Sequence, residues 1–177
     1  RFEFSNFGDG KIENQGTITV SDAGLAAFVS PFISNSGTIN AKLGKVAFAS
    51  GSKVTLDLYG DGLVEIAADD KLSDALIDNT GKINAEGGTV VITANAAKAA
   101  VDNVINMDGV VDVSSVSVKG GKIILNGGSA GKVSVKGKLN ASGKTGGTVK
   151  VNGQKTEFTG SIAAKGDGGF VDVAGHD

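Results

Sequence analysis

Hydrophobic residues in this chain alternate with small or polar ones in short runs, and glycine breaks the runs at recurring places. Aligned on Gly16, Gly37, Gly81, Gly109, Gly137 and Gly160, the chain sets Ile18, Ile39, Ile83, Val111, Leu139 and Ile162 two residues later. Four residues later stand Val20, Ala41, Ala85, Val113, Ala141 and Ala164. A second series, Gly24, Gly44, Gly88, Gly121, Gly147 and Gly169, is followed at the same offsets by Ala26/Phe28, Val46/Phe48, Val90/Ile92, Ile123/Leu125, Val149/Val151 and Val171/Val173. A period of two predicts strands with one buried face. Glycine at each break predicts corners of positive φ. One such coil cannot bury its own apolar face, so the pattern predicts stacked coils: an all-β solenoid of parallel strands.

Successive glycines of the first series are 21 residues apart at Gly16–Gly37, 28 at Gly109–Gly137 and 23 at Gly137–Gly160. The Gly37–Gly81 gap is 44 and holds the alternating runs Val54–Leu58 and Leu63–Ala67, which predicts an extra coil with a drifted signature. About eight coils of roughly 22 residues then fill residues 1–177 as a single β-helix segment. The alanine-rich stretch 94–103 predicts a short helical or loop excursion. Residues 73–78 and 114–119 are expected to add smaller ones.

Two residues before each first-series glycine stand Asn14, Asn35 and Asn79, then Met107, Val135 and Phe158. Alternation from Ile12, Ile33 and Ile77 turns these positions inward or into a corner. Buried amides need partners, so Asn14, Asn35 and Asn79 are expected to form a vertical ladder that later coils replace with apolar residues. Ile18, Ile39, Ile83, Val111, Leu139 and Ile162 are expected to form the matching hydrophobic ladder.

Composition narrows the picture. Aromatics make up 5% of the chain, so the core must be narrow and filled by aliphatic side chains and alanine. Seventeen basic against nineteen acidic residues give a net charge of −2 without a basic block, which argues against nucleic acid as a partner. Lysines such as Lys82, Lys122, Lys138 and Lys150 read as a solvated face that keeps sheet edges apart, with an anionic-glycan surface as the alternative. With no cysteine, disulfides and thiolate metal sites are excluded.

Candidate chemistry is sparse. His176 is the sole histidine and sits beside the last residue, so no Ser/His/Asp set can be built around it. Asp69–Asp70 and the Asp57/Asp61 pair do not recur at one coil position, and the only arginine is Arg1, which argues against a polysaccharide-lyase cleft. Gly60–Gly62 and Gly166–Gly169 look like pieces of calcium-binding nonapeptide repeats, but the spacing does not iterate. Thr17 and Thr19 start a threonine grid, as an ice-binding face would need, but Lys82/Asn84 and Lys138/Asn140 break it. No catalytic, cofactor-binding or metal residue is therefore expected.

Several stretches carry a more specific likeness: Ile33–Ala41, Leu43–Gly51, Val54–Val64, Ile77–Ala94 and Gly168–Gly175. With Phe2–Ser5 ahead of them, they resemble the filamentous haemagglutinin-type exoproteins of bacterial two-partner secretion over nearly the whole chain. The resemblance implies a right-handed parallel β-helix, export through a dedicated outer-membrane transporter, and a secreted or cell-surface location. Family members serve as adhesins, toxin-delivery stalks or haem scavengers. The Asn-Pro-Asn motifs of the family's secretion domain are absent, and Pro31 is the only proline, so the segment is expected just downstream of that domain, as a fragment of a longer chain.

The expected function is that of a structural rod or adhesin segment, not an enzyme. Alternatives are a glycan-binding or self-assembling filament subunit, or the stalk of a contact-dependent toxin. Expected partners are the transporter, a host or bacterial surface glycan or protein, and further copies stacked end to end.

Overall fold

The computed structural model describes residues 1–5, 8–51, 53–57, 64–67, 76–95, 103–117 and 120–175. Among them the chain is all-β, and most strands fall into three six-stranded parallel sheets. The first sheet holds β2 (Lys11–Asn14), β5 (Phe32–Asn35), β10 (Leu76–Asn79), β13 (Asn103–Met107), β16 (Lys132–Val135) and β19 (Lys155–Phe158). The second holds β3 (Thr17–Thr19), β6 (Thr38–Asn40), β11 (Lys82–Asn84), β14 (Val110–Asp112), β17 (Lys138–Asn140) and β20 (Ser161–Ala163). The third holds β4 (Leu25–Val29), β7 (Lys45–Ser50), β12 (Thr89–Ala94), β15 (Lys122–Asn126), β18 (Thr148–Gly153) and β21 (Phe170–Gly175). Each coil gives one strand to each sheet in order, and the next coil repeats the circuit. This is a parallel β-helix.

Register is strict along the axis. Ile18, Ile39, Ile83, Val111, Leu139 and Ile162 lie side by side through the second sheet. Ala26, Val46, Val90, Ile123, Val149 and Val171 do so through the third, as do Phe28, Phe48, Ile92, Leu125, Val151 and Val173. These columns converge on one continuous core in which Ile39, Ile83, Val111 and Leu139 are fully buried. Burying one such side chain stabilises by about 1.5–3 kcal/mol. Phe28 and Phe48 meet edge to face with ring centroids 4.9 Å apart, an arrangement aromatic rings favour.

The glycines serve the fold differently from the expectation. Among the described residues neither series contributes a residue of positive φ; Ala23, Leu43, Gly87 and Gly168 carry it instead, one step before Gly24, Gly44, Gly88 and Gly169. What the recurring glycines provide is clearance between coils. A Cβ on Gly37 would overlap the carbonyl oxygen of Gly16 and lie 2.8 Å from the carbonyl carbon of Gln15. The same clash recurs for Gly81 on Gly37, Gly109 on Gly81, Gly137 on Gly109 and Gly160 on Gly137. Gly44, Gly88, Gly121 and Gly147 repeat it in the second series.

Coil count also differs. The described residues contain six three-strand coils, not eight, because β5 pairs directly with β10 across the 44-residue gap. The intervening β8 (Lys53–Leu56) and β9 (Val64–Ala67) pair antiparallel with each other, and β8 pairs antiparallel with β1 (Phe2–Ser5). Val54 and Leu56 pack with Ala49 and Val29, so this alternating run is buried against the outside of the helix. The backbone of β9 runs beside β7 and β12, and Ala47 and Val91 on their outer surface are buried in consequence. Lys53 and Glu3 form an exposed ion pair at 2.9 Å, a contact of small energetic weight.

No described residue is helical. The interior of the expected 94–103 excursion, residues 96–102, lies outside the described residues, with Ala94 closing β12 and Asn103 opening β13. Of the expected 73–78 excursion, Leu76 to Asp78 belong to β10 and the rest lies outside them. Ser115 lengthens its coil by bridging to Gly143.

Candidate functional face

Two columns of polar side chains run along the helix, one inside and one outside. Inside, Asn14 donates its Nδ2 to Asn35 Oδ1 at 2.7 Å, and Asn35 donates to Asn79 Oδ1 at 2.7 Å. Register makes this ladder, since the three residues lie side by side in β2, β5 and β10. Asn35 and Asn79 are 1% and 0% exposed, so these bonds are shielded from water. The next residue in the column is Met107. It offers no acceptor like an amide oxygen, and Asn79 Nδ2 is left buried without a partner.

The outer column lies on the second sheet at Thr19, Asn40, Asn84, Asp112 and Asn140. Asn40 donates to Thr19 Oγ1 at 3.3 Å, Asn84 to Asn40 Oδ1 at 3.0 Å, and Asn140 to Asp112 Oδ1 at 3.3 Å. Ser114 adds two donors to Asp112 Oδ1, its N–H at 3.0 Å and its hydroxyl at 2.6 Å. The repeat breaks at Asp112: an ionised carboxylate cannot donate to Asn84 Oδ1 as an asparagine would. Beside the break is an open cavity of about 310 Å³ lined by Asn84, Glu86, Asp112, Ser114 and Val116. Val116 is 95% exposed there. The column repeats the Thr-X-Thr and Asn positions seen in sequence, but nothing in the pattern marked Asp112 as the break.

Electrostatics follow the geometry. Partial burial alone would raise the Asp112 pKa, but the bonds from Ser114 and Asn140 and the charge of Lys138 outweigh it and hold the carboxyl below 3.8. Asp78, outward on β10 between Ser34 and Asn106, moves the other way, raised by burial and by the charge of Asp108. Sequence reading missed the Asp78–Asp108 pair, because the two residues are not adjacent in the chain.

The signs give a pH test. Asp112 contributes stability above its unfolded pKa, and that contribution is lost as pH falls through its lowered native value. The Asp112→Asn variant should thus be less stable than the wild type near neutrality, with the gap closing in acid. Urea midpoints of both proteins from about pH 6 to about pH 2.5 test this linkage; a gap unchanged across that range contradicts it. Asp78 contributes oppositely: its stabilising share is present at low pH and fades as pH rises through its raised native value.

Among the described residues no group of three metal-ligating acidic or histidine side chains forms. Asp69, Asp70, Asp61 and His176 lie outside the described residues. Ile18 and Ile162, at the two ends of the hydrophobic ladder, are partly buried, and the four residues between them are enclosed.

No protein-family model matches the chain. Among curated proteins, the heme/hemopexin-binding protein of Haemophilus influenzae is 31% identical over 100 residues, covering 56% of this chain and 10% of that protein. The match thus spans about a tenth of the relative's length.

Proposed function

We propose that this chain is a structural rod segment of a secreted or surface-displayed bacterial exoprotein that passes an outer-membrane transporter of the two-partner type. The observation that carries the reading is the in-register stacking of six coils around one unbroken core. Such a body grows only along its axis. At about 4.8 Å per coil, these six advance on the order of 25 Å, and each added coil extends the reach by the same step. The similarity to the Haemophilus protein supports a bacterial exoprotein setting.

The mechanism is reach together with late folding. A chain that threads a membrane unfolded folds as each emerging coil stacks on the one before it, and no catalytic step is involved. The test is localisation of the protein expressed from its own locus. It should be accessible to protease added to intact cells, or present in the medium, and it should be lost from both when the host's two-partner-type outer-membrane transporter is deleted. Retention in the cytoplasm with the transporter intact overturns the reading.

A second reading, recognition of a surface glycan, rests on the outer amide column and the open cavity beside Asp112. Aligned amides and a carboxylate suit the hydroxyl groups of a saccharide. A glycan array probed with the wild type and with Asp112→Ala separates the two readings. Signals lost in the variant favour recognition; no signal from either protein leaves the rod alone.

A further inference from the structure

In the outer polar column an acceptor is bonded by the side chain of the following coil. Thr19 Oγ1 accepts from Asn40, Asn40 Oδ1 from Asn84, and Asp112 Oδ1 from Asn140. Asn84 Oδ1 is the exception, because the residue beside it in the next coil is Asp112 and a carboxylate has no proton to give. No described residue donates to Asn84 Oδ1. The gap falls between β11 and β14, in the third and fourth of the six coils, on the side wall of the helix.

The open cavity of about 310 Å³ lies at this gap, at the small end of ligand-binding clefts, which run from about 300 to about 1,000 Å³. Its polar wall is made of acceptors. Asn84 Oδ1, the Glu86 carboxylate and the second carboxylate oxygen of Asp112 all lack a donor among the described residues. The one hydroxyl on the wall, that of Ser114, is spent on Asp112 Oδ1 at 2.6 Å. No lysine or arginine lines the cavity; Lys138 acts on Asp112 from the fifth coil. An occupant must therefore bring donors, and an acceptor-only group such as a carboxylate or sulfate is repelled. Neighbouring strands lie about 4.8 Å apart. Asn84 and Asp112 are thus spaced for one ammonium group that bonds both at about 2.7–2.9 Å. Val116 adds an aliphatic surface, 95% exposed, that suits the C–H face of a sugar ring.

On the glycan reading of this cavity, and depending on it, we propose that the site takes a saccharide through a free ammonium group, that of an amino sugar without its acetyl cap. The ammonium bridges Asn84 Oδ1 and the free oxygen of Asp112 across the gap, and Glu86 supplies a second carboxylate. A sugar hydroxyl brings one neutral donor, whereas a charged donor makes bonds about twice as strong. N-acetylation removes the charge and leaves a single N–H. The site therefore selects against acidic glycans, the class that the surface lysines alone would favour.

Titration calorimetry of the 177-residue chain with a tetramer of glucosamine and with its N-acetylated counterpart tests this. The glucosamine tetramer should bind, and the acetylated one should bind at least about tenfold more weakly. Asp112→Asn puts a donor beside Asn84 and removes a charge, so it should abolish the preference. Glu86→Gln, at an exposed position, should weaken glucosamine binding while leaving the far-ultraviolet circular dichroism unchanged. Equal affinity for the two tetramers, or none for the charged one, overturns the ammonium assignment; the glycan reading falls only if the glycan array is silent as well. Undiminished glucosamine binding in both variants overturns the location. A tetralysine peptide that binds as tightly as the glucosamine tetramer overturns the saccharide as the source of the ammonium.

Discussion

Replacing Gly81 by valine should unfold the middle of the helix, at a cost of at least about 3 kcal/mol. Its Cβ would overlap the Gly37 carbonyl oxygen and lie 2.7 Å from the Ser36 carbonyl carbon. Both obstacles are backbone, held by the bonds from Lys82 to Gly37 and from Gly81 to Asn35, each at 2.9 Å. A flexible side chain could swing aside, but here relief requires two coils to separate. Separation would break the register of all three sheets at that level and open the core at Ile39 and Ile83, which lie next to each other. Alanine at the same site should do nearly as much harm, since the clash is with Cβ itself. Urea unfolding read by far-ultraviolet circular dichroism measures the loss. A midpoint within error of the wild type would mean that the coils are not packed this closely.

The second large effect is expected at Asn35. It is the middle rung of the inner ladder, accepting from Asn14 and donating to Asn79. Asn35→Ala removes both bonds and leaves Asn14 Nδ2 and Asn79 Oδ1 unpaired in a buried column. Each orphaned buried group costs about 1–3 kcal/mol, and the lost volume adds to that. A total near 3 kcal/mol is expected from the urea midpoint. Asn14→Ala serves as the comparison. It breaks one rung of the ladder, together with a longer bond of 3.2 Å from the exposed Gly16 N–H, and should cost clearly less. Equal losses at the two positions would show that the ladder is no more than a set of independent contacts.

Much of this fold is legible in sequence because a solenoid repeats its instructions. Gly–X–Ile or Gly–X–Val recurs at each coil, so a single ambiguous copy is corrected by the others, and the columns at Ile39 and Val46 follow from counting by two. The inner asparagines are legible for the same reason: three amides at one phase must share a column. The segment around β8 misleads because Val54, Thr55 and Leu56 alternate as a coil strand does. Alternation says that one face is buried, but not whether it is buried inside the helix or against its outer wall. Glycine misleads differently. Composition favours a turn explanation, while the actual constraint is contact with a residue roughly one coil away, which no local rule detects. The break at Asp112 was hidden too, since asparagine and aspartate differ little in shape and only the need for a donor separates them.

The two amide columns also run in opposite senses. Inside the helix, each asparagine donates toward the C-terminal end, from Asn14 to Asn35 to Asn79. Outside, donation runs toward the N-terminal end, from Asn84 to Asn40 to Thr19 and from Asn140 to Asp112. Their dipoles therefore oppose one another, and the backbone bonds between coils alternate in direction as well, as with Thr38 to Gly16 and Ala41 to Asn84. Unlike an α-helix, whose peptide dipoles add along its length, this body accumulates little axial polarity however many turns it has. Adding coils therefore lengthens the body without building up a long-range backbone field along it.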